Sequence, residues 1–248
     1  FWLNYLRELK ERGVATYLVS AIFRKSQHFF KFYGKQFREA LHTFNHIFLQ
    51  DTPSKELLES IGYNNSIVTG DTRNDRIAKI PKEAKPIESI ALYKGDKALF
   101  AVGSSHDEDI EILLPFIKSH PELKYLITPH EISQEKIDSL IAEIGRKSLK
   151  FSKISDYSKE DIASAEVMFN DTVGILNQTY QYADWAYIGG AFGTLMHNVQ
   201  EPAVYGMPII FGPKYHKFKE SVDLISVGAA QSLSKSSQIE EWFSNHKI

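Results

Sequence analysis

Apolar runs of strand length alternate with amphipathic stretches in the first part of the chain. The intervening stretches predict helices at residues 1–12, from the first strand to about Leu41, and at residues 54–61. The apolar runs that predict strands lie at residues 14–20, 46–50 and 66–70. Strands that alternate with helices predict an α/β fold built on a parallel sheet.

Prolines and charges interrupt this alternation between residues 71 and 95. Pro81 and Pro86 stand there among lysines and glutamates, a composition typical of a connection between domains. We therefore predict a partial N-terminal α/β domain at residues 1–80, a linker at residues 81–95 and a complete second domain at residues 96–248.

The strands predicted in the second domain share one feature, because each ends in a loop of small or polar residues. These strands lie at residues 97–102, 124–128, 184–188 and 208–211. In open α/β sheets, ligands bind at the carboxyl ends of the strands. The loops should therefore build a single crevice.

The loop Gly103-Ser104-Ser105-His106 precedes three acids and a predicted helix. Glycine, hydroxyls and a helix N-terminus suit a phosphate. An ordinary helix cap with acids in its first turn explains the same residues. The Gly189-Gly190 loop has neither the G-x-G-x-x-G spacing nor a Walker lysine, so it predicts little more than a tight turn.

Asn198 and Glu201 lie three residues apart, which places them on one face of a helix. A carboxylate there can accept hydrogen bonds from two ribose hydroxyls. A capping box, with Asn198 as N-cap and Glu201 at the third helical position, is the alternative, and both can hold together. Gly212-Pro213 leads into a loop with two lysines, which suits either an anionic ligand or plain solvation.

Residues 23–38 combine six aromatic rings with five basic residues and no acid. The first 50 residues carry a net charge of +5 on a chain of net charge −2. As the partner of this segment, an anionic membrane surface is favoured over nucleic acid. Alternatively, the segment is a helix that packs its aromatic face on the core. The basic residues are Arg24, Lys25, Lys31, Lys35 and Arg38.

Several kinds of chemistry lack support in the sequence. The chain has no cysteine, no apolar run long enough to span a membrane and no zinc-ligand spacing, and its nine histidines are scattered. No pair of carboxylates stands out as acid and base. We expect no metal site and no cofactor.

In order, the motifs resemble those of the Kdo (3-deoxy-D-manno-octulosonic acid) transferases of lipopolysaccharide biosynthesis, a GT-B glycosyltransferase family with two Rossmann-like domains. The matching segments extend over nearly the whole chain. They are Ser20-Ala21-Ile22-Phe23-Arg24-Lys25-Ser26, Thr69-Gly70-Asp71-Thr72-Arg73-Asn74-Asp75-Arg76, Gly103-Ser104-Ser105-His106, Pro129-His130, Asp171-Thr172-Val173-Gly174, Gly189-Gly190, His197-Asn198-Val199-Gln200-Glu201-Pro202 and Gly212-Pro213.

The resemblance implies inverting, metal-independent transfer of Kdo from CMP-Kdo to a lipid A precursor at the cytoplasmic face of a Gram-negative inner membrane. It implies a general base upstream of residue 1, so we expect the chain to begin inside a longer protein and assign no catalytic residue. The residues expected to bind the nucleotide-sugar are Gly103, Ser104, Ser105, His106, Pro129, His130, Val173, Gly174, Ile175, Gly189, Gly190, Asn198, Val199, Gln200, Glu201, Gly212 and Pro213.

Two positions depart from the family pattern. His130 stands where the family usually has arginine, and Ile175 stands where glutamate is common. Both changes put polar contacts with the donor in doubt. Another GT-B transferase or a sugar epimerase, and a non-catalytic nucleotide- or lipid-binding module, are the alternative functions.

Overall fold

The computed structural model describes residues 2–246, which divide into two compact units with the boundary between Arg76 and Ile77. Unit 1 contains a parallel three-stranded sheet of order β1-β2-β3, with β1 at Tyr17–Ala21, β2 at His46–Leu49 and β3 at Ser66–Val68. Its helices are α1 (Leu3–Glu11), α2 (Lys35–Leu41), α3 (Thr52–Glu59) and α4 (Thr72–Ile77), which reaches one residue past the boundary. Leu41, Ile47, Leu49 and Leu58 are fully buried at its centre.

The long helix predicted up to Leu41 is wrong, because the segment before α2 is a loop with one short 3-10 turn at His28–Phe30. A Cβ on Gly34 would lie 2.1 Å from the His28 carbonyl oxygen, so the tight turn there requires glycine. The Arg38 guanidinium donates to the carbonyl oxygens of Phe29 at 2.9 Å and Lys31 at 3.1 Å. These bonds hold the loop outside a helical conformation.

Unit 2 contains a parallel seven-stranded sheet of order β10-β9-β8-β4-β5-β7-β6. Its strands are β4 (Leu99–Ser105), β5 (Lys124–Pro129), β6 (Ser148–Lys150), β7 (Val167–Phe169), β8 (Trp185–Ile188), β9 (Ile209–Phe211) and β10 (Ala230–Ser232). From β4 the chain first extends the sheet on the β5 side and then returns to extend it on the β8 side. The topological switch point, where ligands bind in such sheets, therefore lies at the carboxyl ends of β4, β5 and β8.

Helices cover both faces of this sheet, so its strands are buried almost throughout. One face packs Phe100 and Tyr125 against Phe116 and Trp242, while the other buries Ala101, Ala186 and residues around them. The helices of the unit are α5 (Ile80–Glu83), α6 (Glu88–Lys94), α7 (Asp107–Ser119), α8 (Gln134–Ile144), α9 (Lys159–Ser164), α10 (Leu176–Thr179), α11 (Gln200–Ala203), α12 (Lys219–Ser226) and α13 (Ser236–Asn245). Two further 3-10 turns lie at Phe151–Asp156 and Tyr180–Tyr182.

Residues 81–95, expected to form a linker, instead contain α6 and most of α5. Ile90 and Tyr93 of α6 are fully buried in unit 2, and the Tyr93 hydroxyl donates to the Tyr125 carbonyl oxygen at 2.8 Å. Short helices tolerate prolines and charges when one face is apolar. The composition of this segment was therefore not enough to distinguish a linker from helices that belong to unit 2. The predicted α/β class with parallel sheets is confirmed. Within residues 2–246, each helix is too short or too polar to cross a lipid bilayer.

Candidate functional site

Loops that follow β4, β5 and β8 meet at one edge of the unit 2 sheet. The His130 amide donates to the Ser105 carbonyl oxygen at 2.9 Å, and the Gly189 amide donates to the Gly103 carbonyl oxygen at 2.9 Å. The His197 amide donates to the Gly189 carbonyl oxygen at 3.3 Å. The structure thus brings together residues that the sequence spreads over almost one hundred positions.

Asp109 holds these loops in place, a role that nothing in the sequence indicates. Its side chain is fully buried and accepts hydrogen bonds from the His106 and Gly190 amides, both at 2.9 Å, and from the Tyr187 hydroxyl at 2.6 Å. A Cβ on Gly189 would lie 2.7 Å from this carboxylate. Asp109 therefore caps α7 through the His106 amide and joins it to the Gly190 loop, and phosphate binding by the rest of the β4 loop stays a prediction.

Three imidazoles, those of His106, His130 and His197, form a cluster at the same edge. The ring centroids of His130 lie 4.5 Å from those of both neighbours, and His106 Nε2 lies 3.1 Å from His197 Nε2. Burial lowers the pKa of His197, and the nearby rings of His130 and His106 lower it further. The expectation that the histidines form no ligand pattern is wrong, because the fold gathers residues from three separate loops.

The two serines at the end of β4 have unusual environments. Ser104 has a φ of 54°, in the left-handed region that a non-glycine residue occupies only at a cost of about 1–3 kcal/mol. The pairing of β4 with β5 is irregular at this point. Ser105 Oγ is buried and has no hydrogen-bond partner within residues 2–246. Strained backbone and an unsatisfied hydroxyl at a switch point indicate a binding site.

Unit 1 has a matching feature at the end of β1. Ser20 has a φ of 56°, and the pairing of β1 with β2 is irregular between Leu18 and Ala21. The Ser20 hydroxyl lies 3.3 Å from Asp71 Oδ1 and accepts from the Thr72 amide at 3.3 Å. These contacts join two of the segments that carry the resemblance, the one that begins at Ser20 and the one that contains Asp71.

Asn198 and Glu201 are in direct contact, although not as a standard capping box. Asn198 Oδ1 accepts from the Gln200 amide at 2.9 Å, its Nδ2 donates to Glu201 Oε1 at 3.2 Å, and the N-cap residue is Val199. Burial raises the pKa of Tyr180, and the negative charge of Glu201 raises it further. A Cβ on Gly103 would lie 2.0 Å from the Tyr180 hydroxyl oxygen, so Tyr180 lies between Glu201 and the β4 loop.

Two of the expected contact residues, Val199 and Gly212, also have a packing role. Val199 is 2% exposed, and its side chain belongs to the core beneath the edge. A Cβ on Gly212 would lie 2.8 Å from the Phe192 ring, so the glycine makes room for that ring. Pro213 follows it and is half-buried.

The loop after β7 presents Val173 to solvent, with 89% of the residue exposed. Gly174 beside it has a positive φ of 93°, which glycine adopts freely, and Ile175 is half-buried. Asp171 secures the base of the loop by accepting from the Ser152 amide at 2.7 Å. Burial alone would raise the pKa of Asp171, but hydrogen bonds from Ser152 and Gln134 hold it below its usual value.

A cleft of about 430 Å³ opens between α7 and α8 next to these loops. Ser105, His106, Pro129 and His130 line it together with apolar side chains that include Ile127. The other polar residues along it are mainly acids, among them Asp107, Glu108, Glu111, Glu131 and Glu143. The cleft therefore combines apolar and acidic side chains with two of the three histidines.

The basic residues predicted in unit 1 do not share one environment. Arg24, Lys25 and Lys35 are exposed, and Lys31 is half-buried. The Arg38 guanidinium is not free to meet a lipid surface, because it donates to the two loop carbonyl oxygens described above. Phe32 is 96% exposed beside these lysines.

Residues 1–76 match the family model described as 3-Deoxy-D-manno-octulosonic-acid transferase (kdotransferase). The chain is 28% identical over 252 residues to the 3-deoxy-D-manno-octulosonic acid transferase of Chlamydophila psittaci, with 96% of this chain and 56% of the relative covered. The enzyme of the same name from Bordetella pertussis is 28% identical over 245 residues, with 92% and 55% covered. The chain is thus similar to Kdo transferases over most of its length. It spans about half the length of the curated relatives it matches.

Solved structures place the chain in the GT-B class of fold. The C-terminal CMP-Kdo binding domain of WaaA from Acinetobacter baumannii matches with a TM-score of 0.52 at 20% identity, over 69% of this chain and 87% of that one. A UDP-N-acetylglucosamine 2-epimerase matches with a TM-score of 0.63 at 10% identity, over 96% of this chain and 59% of that one. The second match shows that the same fold also supports another nucleotide-sugar chemistry.

Proposed function

We propose that the chain is part of a glycosyltransferase that moves Kdo from CMP-Kdo to a lipid A precursor in lipopolysaccharide synthesis, with inversion and without a metal in the transfer step. The observation that carries the proposal is the convergence of the β4, β5 and β8 loops at the switch point of unit 2. The names of the relatives support Kdo as the transferred sugar. The A. baumannii domain of similar fold is named for CMP-Kdo binding, which supports this donor.

In the proposed complex, the cytidine ribose lies beside α11, with its two hydroxyls donating to the Glu201 carboxylate. Asn198 holds that carboxylate from the other side at 3.2 Å. The Ser104 and Ser105 hydroxyls and the His130 ring face the phosphate and the Kdo carboxylate. Ser105 Oγ, buried without a partner in the described part of the chain, can donate to an anionic oxygen at little further cost.

The proposed reaction is a displacement at the anomeric carbon of Kdo. The acceptor hydroxyl oxygen forms a bond to that carbon while the bond from the carbon to the phosphate oxygen breaks, and CMP leaves with the electron pair. The hydroxyl proton passes to a general base. The contribution of unit 2 is to hold CMP in line for this displacement, which lowers the barrier through positioning.

The acceptor side of the proposal rests on unit 1. Exposed Lys25 and Lys35 near the fully exposed Phe32 suit an anionic lipid surface, because basic side chains attract acidic headgroups and an aromatic ring enters the interface. We propose that unit 1 meets the cytoplasmic face of the inner membrane of a Gram-negative bacterium, where a lipid A precursor is available.

Calorimetric titration with CMP tests the donor assignment. Glu201→Ala should weaken CMP binding by about 10-fold or more, since it removes charge-assisted hydrogen bonds worth about 1.5–3 kcal/mol. Glu241→Ala, an exposed acid on α13, is the matched control and should bind as the wild type does. Equal affinity of wild type and Glu201→Ala would refute the ribose assignment. Tighter binding of UMP than of CMP would favour a UDP-sugar enzyme instead.

A further inference from the structure

The three-histidine cluster has the composition of a metal site. His106 is the N-cap residue of α7, His130 follows β5, and His197 lies between β8 and α11. One nitrogen from each ring lies within 4.8 Å of the others. A tetrahedral zinc ion with Zn–N bonds of about 2.0–2.1 Å holds two nitrogens about 3.3–3.4 Å apart. The 3.1 Å between His106 Nε2 and His197 Nε2 needs only a small adjustment to reach that spacing.

The surroundings of the cluster favour a cation. An imidazole nitrogen is among the ligands that zinc and similar ions prefer, and this cluster offers three of them. Asp107, Glu108 and Glu131 stand along the adjoining cleft and add negative charge nearby.

The backbone that carries the three rings is held by hydrogen bonds before any ligand arrives. The His106 amide donates to the buried Asp109 carboxylate, and the His130 and His197 amides donate to carbonyl oxygens of neighbouring loops. A site whose ligands are held by rigid strand ends loses little entropy when it binds.

We propose that His106, His130 and His197 bind one divalent transition-metal ion of the zinc class. Three imidazoles without a thiolate suit zinc, nickel, copper or iron rather than calcium or magnesium. Three protein ligands leave the fourth tetrahedral position for water or an anionic oxygen. The ion carries no step of the proposed sugar transfer, and its binding is measured without nucleotide, so this proposal stands or falls independently of the proposed function.

The test is zinc titration of the tag-free chain, stripped of metal beforehand, by calorimetry. The wild type should bind one zinc ion per chain. His130→Ala removes an exposed ring and should weaken binding at least about 100-fold, since even loss of an outer-shell partner costs about 10–100-fold. His216→Ala is the control, because this exposed histidine lies outside the cluster, and its zinc affinity should equal that of the wild type.

Cobalt substitution provides a second measurement that does not depend on affinity alone. The visible spectrum of the cobalt-loaded wild type should be that of a tetrahedral nitrogen site, and this spectrum should be lost in His130→Ala and in His197→Ala but kept in His216→Ala. Zinc affinity that is the same in the wild type and in His130→Ala would overturn the proposal. A wild type that binds no zinc would overturn it as well, and would leave the cluster as a hydrogen-bonded group of histidines.

Discussion

Gly189 lies where two loops of the candidate site approach each other most closely. A Cβ there would lie 2.3 Å from the Ser104 carbonyl oxygen and 2.7 Å from Asp109 Oδ2. Gly189→Ala should therefore lower the free energy of unfolding by about 1–3 kcal/mol, because the backbone and a buried carboxylate must move apart. Urea unfolding followed by tryptophan fluorescence measures this change.

Gly193→Ala is the matched control for this prediction. A Cβ on Gly193 would have its nearest neighbour at 3.5 Å, an ordinary contact, and its backbone lies outside the left-handed region. The control should change stability by less than about 0.5 kcal/mol. Equal stability of the Gly189→Ala and Gly193→Ala chains would show that the loops are not packed as described.

At the scale of single residues, the sequence indicated which loops meet at the edge of the sheet. It did not indicate which side chains hold those loops together. Ser105, His106 and His130 lie together at the predicted edge. Asp109 gave no signal, because an acid in the first turn of a helix is ordinary and its three donors come from distant segments. The histidine cluster was invisible for the same reason, since ligand spacing is a local signal and these rings meet only through the fold.

His120 connects the elements α7 and α13. Its ring nitrogens each lie 2.7 Å from a carboxylate, one of Glu122 and one of Glu240 on α13, and its side chain is only 15% exposed. Burial alone would lower the pKa of His120, but the hydrogen bonds to Glu240 and Glu122 outweigh burial and raise it. The protonated ring therefore stabilises the junction between the two helices.

This raised pKa predicts how stability depends on pH. In the unfolded chain the His120 pKa returns to about 6.5, so its contribution to the free energy of unfolding is complete below that pH and is lost as the pH rises through the higher folded value. Unfolding by urea at several pH values above about 6.5 should show this loss in the wild type and in His216→Gln, but not in His120→Gln. The same pH slope in His120→Gln as in the wild type would contradict the prediction.

At the scale of elements, prediction succeeded where apolar runs were long and bounded by small or polar residues, as for β2, β4, β5 and β8. It missed β6, β7 and β10, because these three-residue strands lack the glycine that ends the equally short β3 and β9. The helix predicted before Leu41 failed because the pattern of aromatic and basic residues has helical spacing, while Gly34 and Arg38 stabilise a loop.

At the scale of the whole molecule, charge is distributed unevenly. The first 50 residues carry a net charge of +5, although the chain as a whole carries −2. We expect the chain to bind vesicles that contain phosphatidylglycerol and to be released by salt. A Lys25→Ala/Lys35→Ala chain should bind these vesicles about 10-fold or more weakly, since each basic residue near such a surface contributes about 1 kcal/mol.

The control for membrane binding is the double variant Lys153→Ala/Lys159→Ala, which removes two exposed lysines of unit 2. It should bind the anionic vesicles nearly as the wild type does. If the chain sediments equally with neutral and anionic vesicles, or if both double variants lose the same affinity, unit 1 is not the membrane-facing surface.

The central claim is that CMP binds where β4, β5 and β8 end in unit 2. Chemical-shift mapping of backbone amides during titration with CMP tests this claim most directly. We expect saturable shifts at Ser104, His130 and Glu201, with the resonances of α13 unchanged. Shifts confined to unit 1, or no shift at these three residues at saturating CMP, would contradict it.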